Sequence, residues 1–100
     1  IHRCVRDGAM VGVKLWQARV ASDRRLDDIV AAATALKAPI LQHTWFKATG
    51  NHPGESTPVD LVELARRHPT AKLICGHSGG DWERGFAAIR GVPSIFADVG

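Results

Sequence analysis

Residues 72–82, KLICGHSGGDW, constrain the fold of this chain more than any other stretch. A short apolar run ends in His77, two glycines follow, and Asp81 opens a helix. Leu73, Ile74 and Cys75 suit a parallel strand buried on both faces, because such strands lose the polar alternation of a half-exposed sheet. Gly76, Gly79 and Gly80 permit a tight turn and leave room for a group to approach His77. Residues 39–45, PILQHTW, repeat part of this pattern, with a second apolar run that ends in His43. Two histidines at matching ends of successive strands fall on the carboxyl edge of one parallel sheet, where α/β folds collect their chemistry.

The remaining chain alternates in the same way. Ile1, Cys4 and Val5 have helical spacing, and Gly8 is expected to supply a left-handed cap. Residues 10–16, MVGVKLW, read as a strand with Met10, Gly12 and Lys14 on one side. Ser22 or Asp23 caps a helix whose apolar stripe is Leu26, Ile29, Val30, Ala33 and Leu36, and Pro39 stops it. After His43 comes the longest irregular segment, residues 45–56, WFKATGNHPGES. A loop of that length between a strand and a helix usually carries function, and Asn51, His52 and Glu55 are its polar candidates. Thr57, Pro58 and Asp60 form the signature of a capped helix start, with Leu61, Leu64 and Ala65 facing inward. A helix over 81–90 presents Trp82, Phe86 and Ile89, Gly91 and Pro93 close it, and residues 94–99, SIFADV, form a last strand. Short connections between alternating elements imply parallel strands joined by right-handed crossovers.

Composition narrows the function classes. No apolar run approaches the roughly 18 residues of a membrane span. The net charge of +3 is spread over what should be helix solvent faces, without interleaved aromatics, so no nucleic-acid partner is expected. Cys4 and Cys75 lie among apolar residues without CxxC spacing, which points to two buried, reduced thiols of a cytoplasmic protein. The chain starts inside a helix with neither an initiator methionine nor a signal pattern, and stops directly after a strand, as expected of a piece of a longer protein.

Four parallel strands fit either an open doubly wound sheet or part of a closed (β/α)8 barrel. Lys14, His43, His77 and Asp98 each lie at or near the carboxyl end of a strand, and a barrel makes such positions converge on one point. Convergent imidazoles with a lysine and a carboxylate suit a divalent-metal site, with zinc, iron or nickel favoured by neutral imidazole. The alternative is a non-catalytic flavodoxin-like module binding phosphate or a partner at the GHSGG turn, although Asp81 would repel an anion there. Helix placement separates the two, because a barrel keeps its helices on one side of the sheet.

Taken together, GVKLW, PILQHTW, ESTPVDLVELARRHP, KLICGHSGGDWE and SIFADVG resemble the metal-dependent amidohydrolase superfamily, in the branch called amidohydrolase family 2. The likeness covers nearly all of the chain, roughly the fourth to the seventh strands of a TIM barrel. It implies a fragment of one barrel domain over residues 1–100, and a metal-activated water that hydrolyses an amide, ester or lactone or serves nonoxidative decarboxylation. His43 and His77 match the histidines that end the fifth and sixth strands, and are implied as metal ligands and catalytic residues, with zinc as the metal. Lys14, Trp45, Asn51, His52 and Asp81 are the implied contacts to a small-molecule substrate. The family's first-strand HxH pair and eighth-strand aspartate have no counterpart here, and Asp98, on the seventh strand, is not that aspartate. Four strands leave the inner face of such a sheet bare, so self-association is expected.

Overall fold

The computed structural model describes residues 1–17 and 19–100. Four strands, β1 (Val13–Leu15), β2 (Ile40–His43), β3 (Leu73–Gly76) and β4 (Ile95–Ala97), form one all-parallel sheet in the order β1-β2-β3-β4. Between them run α1 (Asp27–Ala35), α2 (Pro58–Arg67) and α3 (Trp82–Ile89).

The register sorts the side chains by face. Val13, Ile40, Leu73 and Ile95 lie side by side, as do Leu15, Gln42, Cys75 and Ala97 two residues on. Ile40, Leu73, Cys75 and Ile95 join Val30 and Ala33 of α1, Leu61, Leu64 and Ala65 of α2 and Ile89 of α3 in a single buried core. All three helices therefore cover one face. On the opposite face the row is Lys14, Leu41, Ile74 and Phe96, with the outer two exposed and the inner two half-buried.

Local chemistry fixes the helix starts. Asp23 accepts a hydrogen bond from Arg25 N and opens a 3-10 turn, Arg24–Leu26, that runs into α1. Thr57 and Asp60 form a reciprocal capping box on α2, with Asp60 accepting from Thr57 N at 2.8 Å, an arrangement worth about 1 kcal/mol. The two helices are clasped at Asp27, whose Oδ1 takes Arg67 Nη2 at 3.0 Å and lies 2.8 Å from His68 Nε2.

Several expectations are corrected. The paired strands are shorter than residues 10–16 and 94–99, because β1 and β4 are sheet edges with a neighbour on one side only. β3 is covered on one face, not two, which leaves Ile74 half-buried. Cys4 is exposed, because the first turn is a π-helical segment, His2–Arg6, that buries none of its own residues; Cys75 is buried, and both thiols are free. Gly8 supplies no left-handed cap, since the turn closes through Asp7; a side chain at Gly8 would meet Cys4 O at 2.5 Å. In α3 Ile89 alone of the expected stripe is buried, while Trp82 and Phe86 pack on each other at the surface. Among the described residues no helix is long and apolar enough to cross a membrane.

Candidate functional site

β2 ends on His43, level with Gly76 at the end of β3, and His77 follows at once. There the backbone enters an unusual turn. His77, Ser78, Gly79 and Gly80 have φ of 59°, 47°, 82° and 72°, four successive residues in the left-handed region. For the two non-glycine residues this costs about 1–2 kcal/mol each, so neighbouring groups must hold them. Asp98, just past β4, does so: its Oδ2 accepts His77 N at 3.0 Å and its carbonyl accepts Ser78 Oγ at 2.6 Å. Phe46 N also donates to Gly79 O at 2.7 Å, tying the turn to the loop after β2.

The turn sets three rings against one another. The His43 and His77 ring centres lie 5.1 Å apart, with planes at 76°. Trp45 packs edge to face on His77 at 5.4 Å and runs nearly parallel to His43 at 6.3 Å. Gly80 makes this possible, because a Cβ there would sit 2.7 Å from the Trp45 indole.

Hydrogen bonds decide which ring nitrogen of each histidine is free. His43 Nε2 lies 3.1 Å from Glu55 Oε1, and Glu55 is buried. Burial pushes the Glu55 carboxyl up, but the hydrogen bonds from His43, His52 N and Lys47 outweigh it and hold it down at about 2. An ionised carboxylate only accepts, so His43 Nε2 carries the proton and a neutral ring keeps its lone pair on Nδ1. His77 Nδ1 lies 3.0 Å from Gly100 O, again an acceptor, which leaves the lone pair of a neutral His77 on Nε2. The carboxyl of Asp98 is held below its ordinary value by the backbone N–H groups of His77 and Gly100, with smaller contributions from the charges of His77 and Lys14.

Beside His77 opens a cavity of about 400 Å³ walled by Trp45, Trp82, Phe86, Ser78 and Asp98. A larger hollow of about 590 Å³ lies against the outer edge of β4, among Phe86, Ile89, Val92 and Ile95, and includes neither histidine.

Of the residues singled out in the sequence, His43, His77 and Trp45 are brought together. Lys14 projects from the same sheet face as His43, in the row of Leu41 one step before it, and is exposed. Asn51 is occupied within its own loop, accepting from Lys47 N and donating to Trp45 O at 2.6 Å. His52 is exposed, and its backbone N–H supports Glu55. Asp81 is the N-cap of α3, accepting from Arg84 N. The roles of Glu55 behind His43 and of Asp98 beneath the turn were missed; both depend on contacts across 12 and 21 residues that no local pattern announces. Among the described residues no group of three or more His, Cys, Asp or Glu side chains is arranged to hold a metal ion. Compared with known proteins, the chain matches no family model and no curated sequence.

Proposed function

We propose that this chain forms the histidine-bearing part of a metal-dependent hydrolase or decarboxylase of the amidohydrolase type, with its four strands as half of a (β/α)8 barrel. The observation that carries the reading is the pair of imidazoles whose unprotonated nitrogens belong to rings 5.1 Å apart. Two imidazoles bound tetrahedrally to one zinc ion at about 2.0–2.1 Å have ring centres about 5 Å apart, so the spacing fits. Each ring is also fixed from behind by an acceptor, as metal-binding histidines are. Two imidazoles supply half of a tetrahedral shell. Sequential strand order with every helix on one face supports a barrel over a doubly wound sheet, whose helices cover both. The Asp81 carboxylate at the start of α3 disfavours the phosphate-binding alternative.

The chemistry that a divalent ion supplies when bound is a water acidified to near neutrality and a polarised carbonyl. His43, locked by Glu55, presents Nδ1 as a ligand. His77 presents Nε2 either as a second ligand or as the group that orients the attacking water and takes its proton. Trp45, Trp82 and Phe86 wall the cavity, exclude bulk water and bind the apolar part of a small-molecule substrate. Lys14, on the same face, draws in an anionic one. Asn51 and His52 shape the loop that carries Glu55.

Zinc titration tests this reading. The chain is titrated with zinc by calorimetry, with circular dichroism as the folding control. Wild type should bind one zinc ion, and His43→Ala should bind it far more weakly. Undiminished affinity in a folded His43→Ala variant rejects the site.

A further inference from the structure

We propose that residues 47–55 form a clasp whose closure is coupled to metal binding at His43, with Lys47 as a positioning residue that acts through Glu55. The coupling rests on the metal-site reading above and adds a condition to it: the site is complete only when the loop after β2 is closed.

Closure of this loop depends on polar contacts. Among the described residues of the 45–56 segment, Glu55 and Ser56 are buried and no apolar side chain is. The root is fixed without Glu55: Trp45 N donates to Ser56 O at 2.9 Å, Phe46 N donates to Gly79 O, and the Arg84 guanidinium lies 4.1 Å over the Phe46 ring. Beyond the root, Glu55 gathers the loop. Its side chain is 1% exposed; Oε2 accepts Lys47 Nζ at 3.0 Å and His52 N at 3.0 Å, and Oε1 accepts His43 Nε2 at 3.1 Å. One carboxylate thus joins the end of β2 to both arms of the loop. A segment with so little buried apolar surface opens at less than the free energy of global unfolding, so residues 47–55 come away while the sheet and helices persist.

These bonds reach the metal ligand from behind. A neutral His43 presents Nδ1 only while Nε2 carries the proton, and the Glu55 acceptor holds it there. Opening removes the acceptor and lets the ring populate its other tautomer. In the other direction, a ring that shares its Nδ1 lone pair with a cation has a more acidic Nε2–H, which bonds an ionised acceptor more strongly. Closure therefore favours the metal, and the metal favours closure by the same factor.

Lys47 is the member of this network that solvent reaches most. Its side chain is 28% exposed, against 12% for His43 and 1% for Glu55. Without its ammonium, Oε2 loses a charged donor, and a buried carboxylate short of a partner drives the loop toward water. The same closure sets the cavity wall, because Asn51 accepts from Lys47 N and donates to Trp45 O at 2.6 Å. A loop that opens therefore loosens Trp45, which packs against both imidazoles.

Hydrogen exchange of the His52 amide, which bonds the Glu55 carboxylate directly, reads loop opening and is followed by NMR alongside the zinc titration. Without zinc it should exchange faster than the sheet amide of Ile40, which bonds Lys72 O. Outer partners of metal-bound histidines are worth about 10–100-fold in affinity, so saturating zinc should slow His52 exchange in the wild-type chain by about 10–100-fold. Lys47→Met should speed that exchange and weaken zinc binding about tenfold, whereas Lys47→Arg, which keeps the charge, should restore most of both. A purely structural Lys47 would leave zinc affinity unchanged. Exchange at His52 that is as slow as at Ile40 or indifferent to bound zinc, or a folded Lys47→Met chain with undiminished zinc affinity, would overturn the coupling and leave the metal site standing. A wild-type titration without zinc binding would overturn the metal reading and the coupling with it. The wild-type exchange comparison needs no substitution, so it decides the matter even where Lys47→Met fails to fold.

Discussion

Replacing Gly85 by alanine sets two physical effects against each other. Gly85 lies inside α3, where alanine is the better helix former by about 1 kcal/mol, so propensity alone predicts a more stable protein. The fold predicts the reverse. A Cβ at Gly85 would run into the carbonyl oxygen of Ser78 and stand 2.6 Å from its carbonyl carbon, against the roughly 3.5–4.0 Å at which carbon atoms rest. Relief requires a shift of about 1 Å, and the obstacle is backbone, which cannot rotate aside as a side chain can. It belongs to the left-handed turn pinned by Asp98. Overpacking of this kind costs about 1–3 kcal/mol or somewhat more, and a rigid neighbour places Gly85→Ala at the upper end. After the propensity gain, a net loss of roughly 2 kcal/mol remains. Urea unfolding followed by circular dichroism at one protein concentration reads this directly: with m of about 1–3 kcal/mol/M, the midpoint should fall by about 1 M. Ala87→Gly, an exposed position on the same helix, should lose about 1 kcal/mol through propensity alone. A Gly85→Ala protein as stable as wild type would refute the close approach of α3 to the turn.

Two further outcomes follow from the same contacts. Glu55 is held at about 2 in the folded chain, below the roughly 4.3 of a free glutamate, so its contribution is complete above that ordinary value and is lost as pH falls from there toward 2. Glu55→Gln should therefore be less stable than wild type by at most roughly 3 kcal/mol near pH 7, with the gap narrowing below pH of about 4 in urea titrations; a gap independent of pH would remove the ionised Glu55 from the account. Cys4 is exposed while Cys75 is buried and its thiol pushed up by that burial, so a thiol reagent should label one cysteine in the native chain and two in denaturant. Rapid labelling of both without denaturant would contradict the packing of β3 under the helices.

Much of the scaffold was legible because its signals are local. Thr57, Pro58 and Asp60 specify a helix start within four residues, and the capping box forms as written. Leu61, Leu64 and Ala65 are buried because their spacing returns them to one face of α2. The parallel sense of the strands followed from alternation with short connections, since parallel neighbours need a crossover between them. What could not be read depends on distance in sequence or on absent partners. The apolar run at β3 looks identical whether one face or both are covered, and Ile74 and Phe96 stay accessible because, among the described residues, the helices cover only the opposite face of the sheet. Cys4 shares helical spacing with Ile1 and Val5, yet its turn, flanked by Arg3 and Arg6, buries none of its own residues. Within the site, His43 and His77 were visible as strand ends and Glu55 as a loop candidate, whereas the role of Glu55 behind His43 depends on the loop folding back. Nothing local marks Gly85 as more than a weak point in a helix, because the Ser78 carbonyl that lies against it comes from the turn before α3.

The claim on which the functional reading stands is that His43 and His77 turn free nitrogens toward a common ligand, and nitrogen-resolved NMR of the imidazole rings tests it most directly. Long-range proton–nitrogen spectra of the neutral rings should show His43 protonated on Nε2 and His77 on Nδ1. Adding one equivalent of zinc should then shift the other nitrogen of each ring together. The opposite tautomers, or zinc addition that leaves both rings unmoved, would contradict the account.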